Sequence, residues 1–365
     1  MTPDALFLIV VAVELLIPLG LLAALPFARR HGLVFGVHVG DRAPPQAVAA
    51  LDRRWRFGLA IAAVTGFATA YGLRSIAGPL VAHLTVTWGG IAVAIGLYLH
   101  LHRRAKAWEA PPSGWSAAGT VEGARVWTWT GPVTMAFSLA ASLGMAIAAL
   151  RVYDRLPEEI PVHFGLDGTP DRWESKSLLS LLMLPLLSGF LGIYLGIFAH
   201  LMAQAKRWIR RGADAAARRA QVAFQNATVG YLCILAAANV FLFGAIQRDV
   251  LRTALDGRGR LSPLFWIAFA TLLFVSFGGI VFLLLRFGQA GARRERSHGD
   301  LPDELANDRF WRWGSIYANP DDSALMVEKR FGIGYTLNFG NPRAVWLLVG
   351  FVGGLAGITV LAGLV

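Results

Sequence analysis

Residues 5–25 read Ala5-Leu-Phe-Leu-Ile-Val-Val-Ala-Val-Glu14-Leu-Leu-Ile-Pro18-Leu-Gly-Leu-Leu-Ala-Ala-Leu25, an apolar run interrupted by one charge and one proline. A helix rises about 1.5 Å per residue, so a run of this length crosses the roughly 30 Å hydrocarbon core of a bilayer. Seven further runs of similar character lie near Phe57–Leu73, Pro79–Leu101, Gly131–Leu150, Leu178–Met202, Phe224–Ile246, Pro263–Leu285 and Ala344–Val365. The rest of the composition agrees. Of 365 residues, 55% are hydrophobic and only 16% charged, against roughly 25% charged in soluble domains. The mean hydropathy is +0.52. An ordinary water-soluble enzyme does not fit. The single cysteine, Cys233, leaves no internal disulfide framework and no cysteine metal cluster.

Sidedness follows from the basic residues. Only Thr2, Pro3 and Asp4 separate Met1 from the first run, and Arg29 and Arg30 follow it. A cleaved signal peptide carries its positive charge ahead of the apolar stretch, so this run is expected to stay as a helix with its amino terminus outside. The loops at 26–56, 102–130, 203–223 and 286–343 hold 25 of the 34 Lys and Arg, and the alternate loops hold 9. By the positive-inside rule the first set is cytoplasmic and both termini are outside. The formal charge of +11 thus divides into +12 on the cytoplasmic side and none outside, with Glu14 in the apolar phase. No separate basic domain remains for a nucleic acid. Basic residues at helix ends, among them Arg53, Arg54, Arg56, Lys206, Arg207, Arg210 and Arg211, are expected to hold anionic lipid headgroups.

The expected fold is therefore an all-α polytopic membrane protein of about eight transmembrane helices, with a small outer loop domain and a cytoplasmic β-hairpin. Its segments are a four-helix membrane region over 1–150, an extracytoplasmic folded loop over 151–177, three helices over 178–286, a cytoplasmic hairpin insert over 287–342 and a last helix over 343–365. Small residues at four-residue spacing, Ala62-Gly66-Ala70, Gly192-Gly196 and Gly350-Gly354, predict close helix packing. No inverted repeat of the two halves is visible, which removes one support for a transporter.

The outer loop is the most informative polar stretch. Pro157 and Pro161 favour an extended approach, Gly165 and Asp167-Gly168 suit positive φ, and Thr169-Pro170-Asp171 adds a turn. A strand here points Val162 and Phe164 inward and His163 outward. Ser175 or Ser177 is placed to cap the fifth span. The recognition candidates are His163, Asp167, Gly168, Asp171, Trp173 and Lys176. His163, Asp167, Asp171 and Glu174 have the chemistry of divalent-metal ligands, but their spacing is that of no established metal motif. The alternative is that the aspartates cap turns and His163 bonds within the loop. No metal or cofactor is expected. Trp173 reads equally as an interfacial anchor or a stacking surface.

The pattern Leu156-Pro157, Ile160-Pro161, His163-Phe164, Gly168, Asp171, Trp173 and Ser175-Lys176 resembles the short extracytoplasmic domain of unknown function of SdpI-type bacterial membrane proteins. That resemblance implies the bacterial cytoplasmic membrane and a role in toxin immunity or signalling. The family member with an assigned role protects the cell from a secreted peptide toxin and sequesters a transcriptional repressor at the membrane.

Before the last span, Asn319-Pro320-Asp321-Asp322 signals a turn, and Leu325–Lys329 and Tyr335–Phe339 read as two strands joined through Gly332-Ile-Gly334. An isolated hairpin is marginal in water, so this one is expected to pack against the membrane surface or the mouth of the bundle. The segment also resembles a short domain of uncharacterised function that accompanies such membrane proteins, through Asn319–Asp322, Lys329–Gly334 and Thr336–Phe339. The docking candidates for a cytosolic protein are Asn319, Asp321, Asp322, Lys329 and Arg330; the alternative is a structural cap. Gly332-Ile-Gly334 is too short for a phosphate-binding signature.

Glu14 is the one acid inside an apolar span. Pro18 has no amide hydrogen to give its carbonyl, so a kink with a small polar site is expected there. Asn239, at similar depth in the sixth span, is the expected partner, with Thr65 as the alternative. The site serves either as an interhelical hydrogen bond or as a proton or substrate site. No catalytic constellation assembles. The leading expectation is a non-enzymatic membrane protein that senses or protects at the bacterial envelope, with a peptide or envelope ligand outside and a cytosolic partner inside. The alternative is a small-solute or peptide transporter using Glu14.

Overall fold

The structure, a computed structural model, describes residues 3–112, 126–165, 167–209, 214–257, 259–294, 301 and 303–362. Among these, eight helices are long and apolar enough to cross a membrane. They are α1 (Pro3–Ala28), α2 (Pro45–Ile76), α3 (Pro79–Ala105), α4 (Thr130–Val152), α5 (Leu178–Ala203), α6 (Ala215–Asp256), the pair α7 (Pro263–Leu273) and α8 (Gly279–Arg286), and α10 (Pro342–Ala362). A π-helical stretch, Phe274–Gly278, joins α7 to α8, and α9 (Asp303–Ala306) is a single turn. Each expected apolar run lies in one of these spans. The helices are longer than the runs, because α2 and α6 continue through polar turns that hydropathy alone does not register. Pro45 occupies the first position of α2, where its missing amide costs nothing.

The strands form four separate antiparallel hairpins. They are β1–β2 (Leu33–Val34, Val37–His38), β3–β4 (Glu159–Phe164, Pro170–Ser175), β5–β6 (Trp311–Arg312, Ile316–Tyr317) and β7–β8 (Met326–Glu328, Tyr335–Leu337). The chain forms two compact units. One comprises residues 1–124, 206–224 and 283–340, the other residues 125–205, 225–282 and 341–365.

In the first unit α1, α2 and α3 share a core of Val11, Leu15, Leu19, Trp55, Leu59, Val86 and Leu101. The Trp55 indole donates to the Leu22 carbonyl at 2.8 Å. The polar loops of this unit fold together. Leu33, Trp208, Leu305, Trp311, Tyr317 and Val327, drawn from three stretches of chain, make one buried cluster. The β7–β8 hairpin is thus present at the expected residues. It does not stand alone: Lys206 donates its amide to the Met326 carbonyl at 3.1 Å, and the Trp208 indole reaches the Glu328 carbonyl at 3.2 Å.

Its turn carries Phe331 against Phe35, Trp55 and Tyr98 at the end of the α2–α3 pair. Phe35 and Gly36 both have positive φ, 43° and 76°, as a two-residue hairpin turn matching the right-handed strand twist requires. The Gly36 tip meets the β5–β6 tip so closely that a Cβ on Gly36 would lie 2.4 Å from the Gly314 carbonyl oxygen. Tyr98 and His102 of α3 hold both tips. The Tyr98 hydroxyl donates to the Trp313 carbonyl at 3.0 Å, and His102 Nδ1 lies 2.9 Å from the Phe35 carbonyl.

In the second unit α4 and α5 meet through small residues. A Cβ on Gly192 would stand 2.6 Å from the Ser138 Cβ, and one on Gly131 equally near the His200 Cβ. Gly354 of α10 admits the Phe190 ring in the same way. The small-residue spacing at 192–196 lets the α4 and α5 backbones approach, as it predicts, whereas Gly350 and Gly354 make room for the Tyr194 and Phe190 side chains. Arg210, Arg211 and the end of the last run, residues 363–365, lie outside the described residues.

Candidate functional site

The β3–β4 hairpin stands over the helix ends of the second unit. Its base is closed by Lys176, whose amide donates to the Glu158 carbonyl at 2.7 Å and whose ammonium donates to the Leu156 carbonyl at 2.9 Å. The same ammonium lies 5.1 Å from the centre of the Tyr153 ring. Ser177 caps α5 through a reciprocal box with Ser180, so β4 passes into the helix without a free linker. At the tip, Asp167 accepts from the Thr169 amide at 3.0 Å and from its hydroxyl at 2.7 Å. These bonds hold the Asp167 carboxyl below its ordinary pKa. Gly168, with φ +78°, passes its carbonyl to the Leu261 amide at 2.8 Å. Leu261 is itself anchored through its neighbour Ser262, whose amide and hydroxyl both bond the buried Asp249 at 2.7 and 2.8 Å.

The register slips between Pro161 and Phe164. Val162 and Phe164 face, as the alternation predicts, a cavity of about 350 Å³ under the hairpin, and His163, expected to point outward, lines it too, at the bulge, where side chains are re-aimed. Its walls are mainly apolar: Ile160, Val162 and Phe164 above, Leu181 and Leu184 of α5, Ile246 and Val250 of α6, and Phe265 of α7. His163, Arg172, Glu174, Ser180 and Gln247 supply the polar points. Gln247 is buried and its amide nitrogen is 3.4 Å from the Leu181 carbonyl. His163 Nδ1 lies 2.5 Å from Asp171 Oδ1, and Arg172 Nε lies 3.4 Å from Glu174 Oε1.

The expected recognition residues thus divide. His163 reaches the cavity, with Asp171 behind it. Asp167, Gly168 and Lys176 build the loop, and Trp173 is 38% exposed, opposite Pro161 in register. Among the described residues no three His, Cys, Asp or Glu side chains converge as ligands. Sequence reading missed Gln247, Ser180 and Arg172. A lone amide at the end of an apolar run was the available signal for the first.

Glu14 requires a correction. Its carboxylate faces His83 and Thr87 of α3, with Oε2 2.8 Å from His83 Nδ1 and Oε1 bonded by the Thr87 hydroxyl. Asn239 instead turns its amide toward the Ser188 carbonyl at 3.5 Å, and Thr65 bonds back to Ile61 at 2.9 Å. Matching by depth fails because it ignores which helices are neighbours. His83 and Thr87, four residues apart and so on one face of the third run, were the legible pair. Beside them lies a second cavity of about 160 Å³, lined by Glu14, Pro18, Leu22, Val86, Thr87, Gly90 and Ala94 among others.

The candidates in the polar body of the first unit are mostly interior. Arg330 is fully buried: Nη1 meets Asp308 Oδ1 at 2.5 Å, and Nε and Nη2 donate to the Leu305 and Ala306 carbonyls at 2.6 and 2.7 Å. A second buried pair joins Arg30 to Glu328 at 3.1 Å. Asn319 is buried and bonds the Tyr317 hydroxyl at 3.2 Å. Asp322 accepts from Lys206 at 3.1 Å and from the Tyr317 hydroxyl at 2.9 Å. Lys329 is half-buried, and burial lowers its pKa. Asp321 is exposed.

Two family models match parts of the chain. A domain of unknown function (DUF1648) matches residues 140–189, which include β3, β4 and the start of α5. A family of unknown function (DUF5808) matches residues 320–345, which include β7 and β8. No curated protein and no solved structure matches the chain. The matched stretches thus cover the two folded polar inserts together with the ends of the helices beside them, α4 and α5 in the first case and α10 in the second.

Proposed function

We propose that this chain is a non-enzymatic receptor of the bacterial cytoplasmic membrane, of the SdpI-type immunity or signalling kind, and that the β3–β4 hairpin and the helix ends beneath it bind an apolar or amphipathic peptide on the outer side. The observation that carries this reading is the cavity of about 350 Å³ under the hairpin. It lies within the size range of small-ligand sites, and its apolar walls with a few convergent polar groups have their usual character. The charge asymmetry of the loops supports an outward-facing hairpin. The polar body carrying exposed Asp321 then faces the cytosol as the surface for a protein partner.

The test fills the cavity. Cells expressing the full chain are challenged with secreted, membrane-active apolar peptides, and the inhibitory concentration is compared with that of Leu184→Trp and Val250→Trp cells. Protection is expected to fall severalfold in both variants and to persist in Asp321→Asn. Undiminished protection in both filled variants, with normal amounts of protein in the membrane, rules the reading out.

A further inference from the structure

One polar group of the hairpin cavity differs from the others. His163 is paired with Asp171 and Arg172 with Glu174, all through exposed or half-buried side chains. Ser180 is committed to the α5 cap, where its hydroxyl donates to the Ser177 carbonyl and accepts the Ser177 amide. Gln247 lies deeper, with 4% of its surface exposed. Its orientation follows from a proline. Pro185, inside α5, has no amide hydrogen for the carbonyl four residues before it, which is that of Leu181. The Gln247 amide nitrogen approaches that carbonyl at 3.4 Å. Since a carbonyl only accepts, the amide is held with Nε2 toward α5 and Oε1 turned away from it. Among the described residues nothing donates to Oε1. Nor is this oxygen sealed off by packing: it opens into the cavity that Gln247 lines.

A buried acceptor in this position discriminates between ligands. One that brings a donor satisfies Oε1, and one of the same shape without a donor leaves it unpaired at a cost. The walls around it, Leu181, Leu184, Ile246, Val250 and Phe265, are apolar, so the donor has to arrive on an apolar body. Size narrows the choice. A cavity of roughly 150 Å³ takes one benzene ring, and about 350 Å³ leaves room for two fused rings with part of a neighbouring side chain. An indole meets both conditions, because it has one N–H to donate and no acceptor of its own to leave unpaired. We infer that the cavity takes the indole of a tryptophan on the bound peptide, with its N–H on Gln247 Oε1 and its rings against Leu184, Val250 and Phe265. The inference rests on the reading of this cavity as the peptide site. Gln247 is then a specificity-determining residue, and Pro185 positions it by freeing the Leu181 carbonyl.

The test dialyses the full chain in nanodiscs against two probes, with binding to empty nanodiscs subtracted. They are 3-methylindole, the tryptophan side chain itself, and 3-methylbenzofuran, of the same shape with an ether oxygen in place of the N–H. The wild-type chain is expected to bind 3-methylindole about tenfold more tightly than 3-methylbenzofuran. Gln247→Met is close in size and lacks the acceptor. There the preference is expected to vanish through weaker indole binding, with the benzofuran held within about twofold of its wild-type affinity. Leu184→Trp, which fills the cavity, is expected to abolish binding of both. Equal affinities of the two probes for the wild-type chain overturn the inference, and this comparison holds even if Gln247→Met does not fold. A preference unchanged in Gln247→Met, equal loss of both probes there, or indole binding indifferent to Leu184→Trp overturns it as well. Equal probe affinities together with lost peptide protection in the filled variants refute the tryptophan inference alone; undiminished protection refutes the peptide site on which it rests.

Discussion

Replacing Arg330 by Met tests the idea that buried charge, more than strand pairing, holds the polar body of the first unit together. The guanidinium is fully buried and serves three acceptors: Asp308 Oδ1 at 2.5 Å and the Leu305 and Ala306 carbonyls at 2.6 and 2.7 Å. Breaking one partner of a buried pair costs about 3–5 kcal/mol, since the other is left uncompensated. Two features set the value within that range. Lys106 stands 3.4 Å from Asp308 Oδ2 and keeps part of the counter-charge, which lowers it. The two carbonyls lose charge-assisted donors, which raises it. An effect of about 3–4 kcal/mol is expected, or two to three decades in the opening equilibrium.

Hydrogen exchange at the amides of Met326–Glu328 and Tyr335–Leu337, in the detergent-solubilised full chain, reads that equilibrium. Arg330→Lys keeps the charge but not the planar fork that reaches three acceptors, so it recovers only part of the protection. In Arg330→Met/Asp308→Leu the orphaned carboxylate is gone. The double variant is then less destabilised than the sum of the single ones by about 2 kcal/mol. Additivity of the two substitutions within about 0.5 kcal/mol, or protection unchanged in Arg330→Met, refutes the reasoning.

Burial alone raises the Asp308 pKa, but the charge and hydrogen bond of Arg330 outweigh it and hold the carboxyl below its ordinary value. A depressed carboxyl stabilises the fold above the unfolded pKa of about 3.9, and the contribution disappears as pH falls through the folded value. The polar body is therefore expected to open in acid, and Asp308→Asn to remove that acid-dependent phase in fluorescence-monitored titration. Gly192→Leu forces α4 from α5, because its Cβ would lie 2.6 Å from that of Ser138. A loss of about 1–3 kcal/mol is expected, whereas Gly144→Leu, with open space around it, leaves the thermal midpoint unchanged. Gly36→Ala meets both a φ of +76° and the Gly314 carbonyl, while Gly257→Ala meets only a φ of +65°. The first is expected to destabilise by about 1–3 kcal/mol more than the second; equal thermal midpoints would show that the two hairpin tips do not depend on their close approach.

By itself the sequence determined the fold class. Backbone groups in hydrocarbon must bond within their own segment, so apolar runs of bilayer length have one solution. Eight runs became eight helices for that reason. The β7–β8 hairpin, the Ser177 cap and the Asp167 turn were also legible, since each rests on residues a few positions apart. Tertiary structure alone decided the rest. It paired Glu14 with His83 and Thr87, because a partner across the bundle depends on which helices are neighbours and not on depth. It drew residues from three stretches of chain into one buried cluster, and so made Arg330 and Asn319 interior supports where a linear reading saw surface. It also opened the cavity under β3–β4, where Val162 and Phe164, already turned inward by strand alternation, meet side chains of α5, α6 and α7. Local chemistry sets the elements; long-range burial and charge compensation choose their partners.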